Sequence, residues 1–151
     1  MYRTILLAVD GSHASRLATF EAAALARAMA ATVHAVYVLD DREPLLEVAY
    51  LDRDALWRSM AEFGRGVLRA TGDQLGAAGV AHTLALVEHC VAPGQVARTL
   101  VARAEACHAD LIAMGTHGRR GLRRAVMGSV ARAVLREWAG PMLLTRSNAD
   151  D

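Results

Sequence analysis

The chain contains no lysine; all 17 of its basic residues are arginine. This removes the lysine of a G-x-x-x-x-G-K-[ST] phosphate loop and the amine needed for Schiff-base chemistry. The two cysteines, Cys90 and Cys107, have no metal-type spacing and read as ordinary thiols in a reducing compartment. No apolar run reaches the roughly 18–20 residues of a membrane helix. The opening MYRTILLAVDGS has too short an apolar stretch for a signal peptide and reads as a strand, so the expected location is the cytoplasm, with no membrane partner. Net charge is only +1 and aromatic residues make up 5%, which argues against a nucleic-acid partner.

What is present is apolar and periodic. Hydrophobic residues form 54% of 151 residues, enough for one domain with a substantial core. RTILLAVD (residues 3–10), TVHAVYVLD (32–40), VAHTLALVEH (80–89), ADLIAMG (109–115) and GPMLLTR (140–146) read as five strands, the first buried on both faces. Between them run helical patterns. The first spans about Ser12 to Ala30, with Ser12 as N-cap. The second runs from about Leu51 to Leu75, carrying Leu56, Met60, Phe63, Val67 and Leu68 at helical spacing and weakened by Gly64, Gly66 and Gly72. The third runs from Val96 to about Cys107, and the last opens at Gly128-Ser129 and runs to about Trp138. DREP after the second strand and APG before the third helix break the pattern, and SNADD forms a polar tail. Alternating strands and helices imply βαβ units, an α/β class and a mainly parallel, doubly wound sheet with no second domain.

In such sheets a ligand binds beyond the carboxyl ends of the strands, where the strand order reverses. Two strands end in distinctive loops, Asp10-Gly11-Ser12 and Met114-Gly115. The second loop continues MGTHGRRGLRRAVMGSVA, with Arg119, Arg120, Arg123 and Arg124 crowded between Gly118 and Gly128. Glycines admit backbone N–H groups to anionic oxygens, and a helix start at Gly128-Ser129 supplies free N–H groups and a favourable dipole. The Ser129 hydroxyl can bond a phosphate or cap the helix. The stretch therefore suits a phosphorylated ligand, with a solvated surface loop as the plain alternative. Neither G-x-x-x-x-G-K-[ST] nor a G-x-G-x-x-G after the first strand is present. His34, His82 and His89 share no metal-ligand spacing and read as structural. Trp57 and Trp138 read as helix-face core or interface residues, and His117 reads as a phosphate contact or proton carrier, with a solvent-exposed loop histidine as the plain alternative.

Gly115, Gly118, Gly128 and Ser129 form G-x-x-G, nine residues, then G-[ST], which resembles the nucleotide motif of the universal stress protein family. ILLAVDGS is similar to that family's opening strand and turn, and GPMLLTR to its closing strand. The resemblance covers essentially the whole chain. It implies one domain over residues 1–151 and a Rossmann-like five-stranded parallel sheet in the order 3-2-1-4-5, with helices on both faces. It also implies a homodimer, which an apolar fifth strand at the sheet edge would form, and, in one branch, ATP as ligand. By matching position, Asp10 would face the ribose and adenine, Ala8 and Val9 would lie beside the base, and Val38 would contact the adenine. Met114 and Gly115 would flank the ribose and phosphate path, and His117, Gly118, Gly128, Ser129 and Val130 would surround the phosphates. The expected function is a stress or signalling module that binds ATP, or a related adenine nucleotide, as a regulatory ligand, with Mg2+ held mainly by the phosphates. The alternative is a slow ATPase or nucleotidyl-transfer enzyme using the same site; Asp10 and His117 are poor candidates for its base. The arginine-rich stretch and the VAPG turn before the third helix depart from the family pattern.

Overall fold

The structure is a computed structural model, and it describes residues 1–41, 50, 52–92, 95–118 and 126–148. Among the described residues five strands and four helices alternate: β1 (Thr4–Ala8), α1 (His13–Met29), β2 (Thr32–Val38), α2 (Arg53–Ala77), β3 (His82–Val87), α3 (Val96–Ala106), β4 (Leu111–Gly115), α4 (Ser129–Glu137) and β5 (Met142–Thr145). All strand pairs are parallel and the order is β3-β2-β1-β4-β5. The order reverses between β1 and β4, which pair Ile5 with Leu111 and Leu7 with Ala113. Among the described helices none is long and apolar enough to cross a membrane.

The period-2 pleat sorts each central strand into two cores. Ile5 and Leu7 of β1 and Leu111 and Ala113 of β4 pack with Ala18, Ala22 and Ala26 of α1 and Ala61, Leu68 and Leu75 of α2. Leu6, Ala8, Ile112 and Met114 face the other way, onto Leu100 and Ala104 of α3 and Ala131 and Val134 of α4. Burial on both faces is why β1 and β4 read as continuous apolar runs rather than as alternations. The alanine stripe of α1 lets that helix lie close to the sheet.

Helix ends follow their caps. Ser12 caps α1 by accepting from the Ser15 N–H at 3.1 Å, and Ala30 closes it in the left-handed region at φ 53°. Asp52 caps α2, accepting from Asp54 N and Ala55 N at 3.1 Å each, which moves its start to Arg53 rather than Leu51. The strands are shorter than their apolar runs. β1 stops at Ala8, because the Asp10 N–H turns to the Ser15 hydroxyl instead of continuing the ladder. The glycines of α2 do not interrupt it, and two of them serve packing: a Cβ at Gly64 would stand 2.8 Å from both Leu86 Cδ1 and Tyr37 Cδ1, and one at Gly72 would stand 2.8 Å from Leu84 Cδ1.

Candidate functional site at the strand-order reversal

The loops after β1 and β4 meet at the reversal and are tied together by one hydroxyl. Asp10 Oδ1 accepts from the Ser12 N–H at 2.9 Å, a tight turn that brings Ser12 to the head of α1. The Ser12 hydroxyl caps α1 and also donates to the His117 carbonyl at 3.3 Å. Gly11, at φ +84°, lets the turn fold back onto α2, where a Cβ would stand 3.0 Å from Val67 and 3.1 Å from Phe63. On the β4 side the Thr116 N–H donates to the Thr145 carbonyl at 2.8 Å and the Thr116 carbonyl accepts from Gly128 N at 2.7 Å. Thr145 Oγ1 in turn donates to the Ala14 carbonyl at 2.7 Å, joining β5 to α1.

These loops open onto a cavity of about 430 Å³, a volume suited to a small molecule. All eleven residues singled out in the sequence line it. Ala8 and Val9 are buried at the end of β1, with Asp10 beside them and Val38 at the end of β2. Met114 is buried and Gly115 half-buried at the end of β4, followed by His117 and the exposed Gly118. Gly128, Ser129 and Val130 lie at the start of α4. Leu39, Asp40, Met60 and Leu100 extend the wall near Val38, where apolar side chains dominate. Ser15, Thr116 and Arg132 line it as well. Sequence reasoning did not single these out, although Ser15 stands three residues from Ser12, and Arg132 three from Ser129 on the same helical face.

Polar capacity in the cavity is partly unfilled. His117 Nδ1 pairs with Thr116 Oγ1 at 2.9 Å, while its Nε2 is buried with no hydrogen-bond partner. An orphaned buried ring nitrogen is costly unless a ligand or water satisfies it. Among the described residues no side chain caps α4, and its first-turn residues Ser129, Val130 and Ala131 all line the cavity. Gly118 permits the close approach of the Asp10 carboxylate, since a Cβ there would stand 2.9 Å from Asp10 Oδ2.

Two expectations about this loop need correction. The Gly128 N–H is not free for an anion, because it donates to the Thr116 carbonyl. Ser129 does not cap α4: Gly128 holds the cap position at φ -61°, and Ser129 is the first helical residue. Gly115 does more than leave its backbone open. A Cβ there would meet Ala14 Cβ at 2.8 Å, so its absence lets α1 pack on β4. Arg119, Arg120, Arg123 and Arg124 lie outside the described residues, as do Pro93 and Gly94 of the APG turn and Arg42, Glu43 and Pro44 of the DREP break.

Other chemistry-bearing groups are occupied elsewhere. His34 Nδ1 pairs with Thr83 Oγ1 at 2.6 Å, His82 Nδ1 with the Val80 carbonyl at 2.8 Å, and His89 stacks on Trp57 with ring centroids 5.6 Å apart. Trp138 Nε1 donates to the Pro141 carbonyl at 3.1 Å. The Cys90 thiol donates to the Leu39 carbonyl at 3.6 Å, and burial pushes it above the ordinary thiol range. Among the described residues no three His, Cys, Asp or Glu side chains stand together as a metal site.

A doubly wound parallel sheet with a cavity at its reversal defines the class: a single-domain, Rossmann-like α/β fold. The universal stress protein family model matches residues 1–146, and the chain belongs to that family. Universal stress protein MJ0531 of Methanocaldococcus jannaschii is 31% identical over 150 residues, covering 97% of this chain and 83% of that protein. Among solved structures, hypothetical protein MJ0577 superposes with a TM-score of 0.84 at 25% identity, covering 98% of each chain. A universal stress protein solved in complex with cAMP superposes at 0.68 and 23% identity, covering 97% of this chain and 98% of that one, a likeness of fold.

Proposed function

We propose that this protein binds an adenine nucleotide, ATP foremost, in the cavity at the β1–β4 reversal, and that the nucleotide acts as a regulatory ligand in stress response or signalling. The observation that carries the reading is the cavity's asymmetry. One end is apolar, walled by Val38, Leu39, Met60 and Leu100, and suits a base. The other combines the Gly118 backbone, the uncapped start of α4 and the unpartnered His117 Nε2, and suits phosphate. Asp10 lies between the two parts of the wall in the β1 loop, where a carboxylate can accept from ribose hydroxyls. The fold neighbour solved with cAMP is in keeping with this, but the case rests on this chain's own residues.

In this reading Mg2+ rides on the phosphates, and the protein works in the cytoplasm as a homodimer joined through β5, which is at the sheet edge. Fast phosphoryl transfer would need a group that orients the attacking nucleophile. Asp10 already spends one carboxylate oxygen on the Ser12 N–H, so it serves position better than turnover.

Mass spectrometry of the small molecules released from freshly purified protein, followed by calorimetric titration with ATP, adenosine and GTP, tests the proposal. Adenine nucleotide in the released fraction and preferential binding of ATP over GTP are expected. Absence of any adenine-nucleotide binding sinks it. Single-turnover hydrolysis at about 1–100 s⁻¹, the range of kinases, would replace the regulatory reading with an enzymatic one.

A further inference from the structure

The described wall of the cavity carries two carboxylates, Asp10 and Asp40, and only one arginine, Arg132. An anionic ligand must keep its charge away from the first two and near the third. Arg132 lies on α4 one turn after Ser129, so the two side chains share a helical face, and both are exposed. Its helical neighbours at three and four residues are Gly128, Ser129, Leu135 and Arg136, none of them acidic. The nearby Glu137 pairs instead with Arg98 of α3 at 3.7 Å. Arg65 and Arg69 have an acidic partner in Glu62, whereas among the described residues no ion pair involves Arg132. An arginine at a cavity rim, without a carboxylate partner among the described residues and beside a helix start they leave uncapped, is placed for a phosphate group.

Resting on the nucleotide reading above, we infer that Arg132 is the positioning residue for the terminal phosphate of a nucleoside polyphosphate, and that it sets the site's preference for longer phosphate chains. The apolar end of the cavity holds the nucleoside, and the α4 first turn receives the phosphates nearest the sugar. Arg132, a turn further along the helix, meets what extends beyond them. The planar guanidinium can donate two parallel hydrogen bonds to one phosphate, which a point charge cannot match in geometry.

Titrations of the parent, Arg132→Gln and Arg132→Lys with ATP, ADP, AMP and adenosine test this, with thermal melts to confirm folding. Arg132 is exposed, so both variants should melt like the parent. In Arg132→Gln, ATP binding should weaken about tenfold, as expected for loss of a charge-assisted contact at a solvated rim. ADP should lose less, and AMP and adenosine should stay within about twofold. Arg132→Lys should recover part of the ATP loss, and the salt dependence of ATP binding should flatten in Arg132→Gln but not in Arg132→Lys. Equal losses for ATP and adenosine, or unchanged ATP binding in Arg132→Gln, overturn the assignment while leaving nucleotide binding intact. A parent that binds none of the four ligands overturns the nucleotide reading, and this inference with it.

Discussion

Gly115 offers the sharpest test of how the fold builds the site. An alanine there puts its Cβ 2.8 Å from Ala14 Cβ, 2.9 Å from the Ala14 carbonyl carbon and 3.0 Å from Ser15 N. Carbon atoms rest at about 3.5–4.0 Å, and two of these three neighbours are backbone, so no rotamer change relieves the overlap. α1 must move away from β4. It is held there by the Ser12 cap and by the Thr145 hydroxyl on the Ala14 carbonyl. Overpacking of this kind costs about 1–3 kcal/mol; for a domain of this size that lowers the melting temperature by about 2–12 °C. The Asp10–Ser12–Ser15 cluster sits on the displaced turn, so ligand affinity should fall together with stability. Gly66→Ala is the control, since only Arg69 Nη2, at 3.8 Å, lies within reach of its Cβ. It should stabilise α2 by about 0.5–1 kcal/mol. Circular-dichroism melts of the two variants decide the matter. A Gly115→Ala protein that melts with the parent would refute the close α1–β4 contact as the reason for glycine.

Gly118→Ala should fold normally, because its Cβ meets only the far end of the Asp10 side chain, and should weaken ATP binding by displacing that carboxylate. In a double-mutant cycle with Asp10→Ala the second loss should largely vanish, whereas additive losses would separate the two residues. Asp110 accepts from Arg3 N at 2.7 Å and Thr4 N at 3.0 Å, and these bonds hold its carboxyl below the ordinary range. A depressed folded-state value means the stabilisation is present above the unfolded value and lost as pH falls through the folded one. Asp110→Ala should therefore cost about 1 kcal/mol or less near neutral pH, given its exposure, and the gap to the parent should close below about pH 4 in acid melts. Light scattering at micromolar concentration should return about twice the 16.1 kDa chain mass; a monomeric mass counts against pairing through β5.

How much could be read from the sequence depended on whether the signal was local. The double burial of β1 and β4, the Ser12 cap and the uninterrupted α2 are each written in adjacent residues or in a period. Strand bounds were less legible, because Val9 prolongs the apolar run of β1 and still donates to the Val36 carbonyl of β2, and only at Asp10 does the N–H turn away, to the Ser15 hydroxyl. Packing roles were not legible at all. Nothing near Gly64 or Gly72 announces that Tyr37, Leu84 and Leu86, on other elements, need the space. Arg132 was hidden for a related reason: an arginine on a helix is an ordinary surface residue until the helix start beside it borders a cavity.

The glycines of the β4 loop show why one motif cannot be given one task. Gly115 admits the first turn of α1. Gly128 sits against the Thr116 carbonyl, which a Cβ would approach to 3.0 Å and which already takes its N–H. Both set the shape of the crevice before any ligand arrives, so substitutions at either should lower stability as well as affinity. Gly118 is different: it is exposed, and its contact is with a side chain that itself faces the cavity. In the nucleotide reading, capacity for a ligand therefore resides where structure leaves something unused, in the His117 Nε2, the start of α4 and the Arg132 guanidinium. This division follows from a rule of polar satisfaction: a group already bonded within the fold holds the site in shape, and a group still lacking a partner is the one that binds.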